Sequence, residues 1–73
     1  MTRNFTAIIA REDDGYVALC PELDIASQGS SVADARANLS EAVGLFLETA
    51  SPSEVHRRLK GEVYVTQIEV AIG

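Results

Sequence analysis

The sequence predicts an α+β fold: a two-layer sandwich of one antiparallel-rich sheet and one main helix, in the element order β-β-β-α-β. Three observations carry this. Gln28 to Ala50 holds the one long stretch of helical periodicity. The segments before it alternate like short strands around turn residues. Glu62 to Ile72 alternates again, as a closing strand. A helix with one apolar stripe cannot hide that stripe alone, so the strands must supply a sheet for it to lie on.

Taken in order, Phe5 to Arg11 is apolar and β-branched enough for a first strand, with Phe5, Ala7 and Ile9 on one face and Ile8 and Ala10 on the other. Glu12-Asp13-Asp14-Gly15 reads as a turn, with Asp14-Gly15 as a two-residue hairpin signal. Tyr16 to Cys20 returns as the second strand, and Pro21 stops the ladder because it has no N–H. Glu22 to Asp24 connects to a third strand from Ile25 to about Gln28, ended by Gly29.

Ser31 is the expected N-cap of the helix, with Asp34 as the carboxylate of a capping box. Val32, Ala35, Leu39, Ala42, Val43, Phe46, Leu47 and Ala50 form its apolar stripe. Leu39, Val43 and Phe46 are expected in the core, opposite Phe5, Val17 or Leu19. Ser51 and Pro52 open a second, short helix that Gly61 ends. In the closing strand Tyr64, Thr66, Ile68, Val70 and Ile72 share one face.

At 73 residues and 47% hydrophobic, the chain fits one small globular domain spanning residues 1–73. A core this size is marginal by itself, and self-association into a homo-oligomer is one remedy. Cys20 is the only cysteine, so no internal disulfide forms. One Cys and one His do not make a metal cage, and no metal or cofactor is expected. No secretory signal or membrane-spanning run is visible, which makes the cytoplasm the expected compartment. The net charge is -5, with eleven Asp and Glu against six Lys and Arg. That balance disfavours direct nucleic-acid binding and suits a basic protein partner.

The chemistry-bearing side chains resolve into structural roles. Glu12, Asp13 and Asp14 are too tightly spaced to surround an ion and read as a solvated turn. His56 stands beside Arg57 and Arg58 with no nucleophile or carboxylate at a telling spacing, so no general base is assigned. Cys20 has no activating base and reads as a small buried side chain. Arg57, Arg58 and Lys60 sit near the end of the short helix, where cations are favoured. No catalytic residue is expected. The polar face of the main helix is the candidate partner surface: Asp34, Glu41 and Glu48 recur every seven residues, with Leu45 beside them.

The run from Gly15 to Glu48 resembles the N-terminal domain of HicB-type antitoxins. Gly15, Tyr16, Ala18, Cys20, Pro21, Glu22 and Leu23 match the family's strand motif. Gln28 and Gly29 match its turn, and Ala35, Asn38, Glu41 and Ala42 its helix. The resemblance implies a partial RNase H-like fold. It also implies binding to a small HicA-type toxin, an mRNA-cleaving protein. Longer members carry a C-terminal DNA-binding domain, which this sequence is expected to lack. RNase H-like enzymes hold two metals on clustered carboxylates, and no such set is visible here. The expected function is therefore that of a stand-alone HicB-like antitoxin that sequesters a basic HicA-like toxin. The alternative is a self-associating structural domain of unknown partner. A metal-dependent nuclease comes third.

Overall fold

The computed structural model describes residues 2–73. Its elements are β1 (Ile8–Glu12), β2 (Gly15–Cys20), β3 (Ile25–Gly29), α1 (Val32–Thr49) and α2 (Pro52–Arg58). The strands form an antiparallel meander in the order β1-β2-β3. The α+β sandwich of a sheet and one main helix is as the sequence predicts.

Glu12 pairs with Gly15, so the two residues of the hairpin loop are Asp13 and Asp14 rather than Asp14 and Gly15. Asp13 takes the positive φ, at 53°, a conformation that a short polar side chain tolerates. Gly15 already belongs to β2.

Ser31 caps α1 by accepting the Asp34 N–H at 3.0 Å. The Asp34 carboxylate does not complete the box. It accepts from the Ser30 hydroxyl at 2.5 Å. Ser51 caps α2 in the same way, through the Glu54 N–H. That helix ends at Arg58, before Gly61.

The core is Ala18, Cys20, Leu23, Ala35, Leu39 and Val43, with Phe5, Ile9, Tyr16, Ile25, Phe46 and Leu59 packed around it. The expected facing residues of β2 are corrected. Tyr16, Ala18 and Cys20 point to the helix, which by the period of two turns Val17 and Leu19 to the opposite face. Small side chains on the inner face let α1 approach closely. Gly29 marks the closest approach, since a Cβ there would lie 2.7 Å from the Asp34 carbonyl carbon and collide with the Ala35 nitrogen. Asn38 fastens the same contact by donating to the Gln28 carbonyl at 2.8 Å. Val32 and Leu47, assigned to the apolar stripe from spacing, are exposed, and Phe46 is only half-buried. The sheet is narrow and does not reach beneath the full stripe.

The closing strand is also corrected. Glu62–Ile72 forms no ladder with any described residue, and its side chains are exposed except for the half-buried Val63. A strand exists only through a partner, and this segment has none among the described residues.

Leu39→Ala is expected to lose about 2–5 kcal/mol of stability in urea denaturation. Gly29→Ala should lose about 1–3 kcal/mol by forcing the helix off β3. Val32→Ala should stay within about 0.5 kcal/mol, because the side chain is exposed.

Candidate functional site

The exposed face of α1 arises from the same periodicity that buries its other side. Ala35, Leu39 and Val43 face the sheet, which turns Glu41, Leu45 and Glu48 outward. Leu45 is 58% exposed. Glu41 and Glu48 are exposed, and among the described residues neither makes an ion pair. Asp34 lies at the head of the same face, with its carboxylate engaged by Ser30 in the helix start. The four residues therefore share one face, with Glu41, Leu45 and Glu48 as its unengaged part. Both carboxylates are therefore solvated on the outer surface of the helix.

The turn after β2 holds the densest polar network, and the sequence reading treated it only as a connection. Glu22 accepts the Thr6 N–H at 3.1 and 2.9 Å through its two carboxylate oxygens, and the Thr6 hydroxyl at 2.7 Å. The Cys20 thiol donates to it at 3.6 Å. The Glu22 carbonyl accepts the Lys60 N–H at 2.9 Å. Partial burial acts to raise the Glu22 pKa, but its hydrogen bonds, led by those from Thr6, outweigh that and hold it below its ordinary value. Burial, with the neighbouring carboxylate, pushes the Cys20 thiol up, so it is a protonated core group and not a nucleophile.

The basic cluster of the sequence is dispersed. Arg58 turns inward, donating to the Leu23 carbonyl at 3.2 and 3.0 Å and to the Asp24 carbonyl at 3.1 Å. Its guanidinium also lies 5.3 Å from the Phe46 ring centre. Arg57 pairs with Glu54 on the surface of α2. His56 is exposed on the same helix. Glu12, Asp13 and Asp14 are exposed at the hairpin tip. Among the described residues, no group of three metal-ligating side chains comes together, and no helix is long and apolar enough to cross a membrane.

A cleft of about 210 Å³ opens between the segment leading into β1 and α1, lined by Arg3, Phe5, Ala7, Arg36, Leu39 and Val43 among others. It lies beside α1, on the β1 side of the sheet.

A sheet meander carrying one long helix, with an acidic outer face and a stapled turn, defines a small α+β module. The chain is 48% identical over 50 residues to a UPF0150 protein of Synechocystis sp., covering 66% of this chain and 69% of that protein. It belongs to the UPF0150 family. No family model matches the chain, and no solved structure matches it.

Glu22→Gln is expected to lower stability at neutral pH and to matter progressively less in acid. The depressed pKa means that the carboxylate contributes fully above its unfolded value and loses that contribution as pH falls through the folded one. Denaturation midpoints of the two proteins should therefore converge at low pH.

Proposed function

We propose that this chain is a HicB-like antitoxin-type protein that sequesters a small basic HicA-type toxin and performs no catalysis of its own. The observation that carries the reading is the acidic face of α1. Glu41 and Glu48 stand unpaired around the exposed Leu45, on a chain of net charge -5. The UPF0150 membership and the HicB-like run from Gly15 to Glu48 support it. In this reading the rim carboxylates steer a basic partner, and Leu45 supplies the apolar contact. A toxin that cleaves RNA must carry a cationic surface for its substrate, so an acidic face competes for that surface directly. The protein acts in the cytoplasm, where mRNA is.

The second reading is a self-associating structural module without a neutralising role. The uncovered apolar segment at residues 62–72 favours it.

The test is a titration against a purified HicA-type toxin, at two salt concentrations. Glu41→Lys with Glu48→Lys should slow association at least tenfold and weaken its salt dependence, with unfolding unchanged. RNA cleavage by the partner should be suppressed by the unmodified chain and not by the double variant. Unchanged binding by the double variant would move the interface off α1. No binding by the unmodified chain would leave the structural reading.

A further inference from the structure

The cleft beside α1 has a mixed lining. Leu39 and Val43 are buried and Phe5 is half-buried, so these three form an apolar floor. Arg3, Arg36 and Ser40 are exposed, so they form a polar rim. Arg36, Leu39, Ser40 and Val43 stand at i, i+3, i+4 and i+7 of α1, and one helix face therefore supplies cation, hydroxyl and floor together. The Arg3 guanidinium lies 5.1 Å from the Phe5 ring centre, which keeps the second cation beside the aromatic part of the floor.

The two rim arginines are uncommitted. Arg57 pairs with Glu54, and Arg58 is engaged by the Leu23 and Asp24 carbonyls. Among the described residues, neither Arg3 nor Arg36 makes an ion pair. The positions three and four residues to either side of Arg36 are Val32, Ala33, Leu39 and Ser40, so the helix offers it no carboxylate. No carboxylate lines the cleft either. The Cys20 thiol, which reaches it, stays protonated because burial raises its pKa. The Glu22 carboxylate behind Cys20 is engaged by that thiol and by Thr6. On a chain of net charge -5, two unpaired cations on one small cleft reverse the sign of the local field.

We propose that this cleft binds a small amphipathic anion, an aryl or short acyl carboxylate, with its charged head on Arg3 and Arg36 and its apolar body on Phe5, Leu39 and Val43. Size limits the ligand from above. The volume of about 210 Å³ falls below the roughly 300–1,000 Å³ of pockets that hold drug-sized molecules, so a nucleotide does not fit. The lining limits it from below. An inorganic anion leaves the floor against water, and a neutral hydrocarbon leaves both guanidinium forks without an acceptor. A planar carboxylate matches such a fork through two parallel hydrogen bonds. Its apolar body takes the floor out of water at the same time. This site is independent of the antitoxin reading, because Glu41, Leu45 and Glu48 lie on a different side of α1 from Arg36 and Leu39.

The test is a titration of the full chain with phenylacetate, followed by methyl and aromatic NMR shifts. Shifts at Phe5, Leu39 and Val43 should saturate together with a Kd of about 1 mM or below. Acetate has the head without the body, and phenylacetamide has the body without the charge. Each should bind at least tenfold more weakly. Arg36→Gln should weaken phenylacetate at least tenfold with helical circular dichroism retained, since the side chain is exposed. Arg57→Gln removes the same charge outside the cleft and should leave binding unchanged. No saturable shifts in the unmodified chain would overturn the proposal without recourse to any variant. Equal binding of acetate or phenylacetamide would also overturn it, as would an equal loss with Arg57→Gln, which marks diffuse charge only. Contacts between the methyls of residues 62–72 and those of Leu39 or Val43 in the ligand-free protein would do the same, because the chain would then fill its own cleft.

Discussion

Glu22 ties three separate parts of the chain to one turn. Its carboxylate holds Thr6 at the entry to β1, its backbone carbonyl holds Lys60 after α2, and it accepts the thiol of the buried Cys20. Leu23, fully buried, plugs the core beneath it. The Leu23 and Asp24 carbonyls are turned out to the Arg58 guanidinium, helped by the positive φ of 56° at Asp24. Pro21 makes this possible by ending the β2 ladder, which frees the following backbone groups for side-chain partners. Among the described residues, this turn supplies the polar bonds that fasten α2 to the sheet. The position from which residues 62–72 emerge is set by the same bonds.

The second constraint is the mismatch between helix and sheet. α1 is 18 residues long and packs chiefly on β3 and β2. Gly29 and the Asn38 bond draw it to that side. Close packing there leaves the β1 side without a roof. The small core follows from this geometry, as do the cleft, the open edge and the exposed Val32 and Leu47. A domain that buries so few large side chains gains much by recruiting further apolar surface.

The two exposed surfaces differ in kind. The face of α1 around Glu41, Leu45 and Glu48 is charged, with one apolar centre. The β1 edge and residues 62–72 instead expose backbone groups and apolar side chains. One helix borders both because its periodicity points Leu39 and Val43 inward and Leu45 outward.

The sequence by itself determined the elements whose signals are local. Ser31 and Ser51 cap their helices because a hydroxyl at those positions meets the N–H three residues on. The three strands and α1 follow from periodicity and from Gly, Pro and Asp at the breaks. The outward face of α1 was legible for the same reason, since Asp34, Glu41, Leu45 and Glu48 lie at helical spacing. Tertiary structure alone decided which face of β2 turns inward, because Val17 and Leu19 are as apolar as Ala18 and Cys20, and only the close approach of α1 at Gly29 selects the smaller set. It alone gave Glu22 and Arg58 their roles, since their partners lie 16 and 35 residues away. It also withheld a strand from residues 62–72, whose alternation is correct for one, because a strand is completed by its neighbour and not by its own residues.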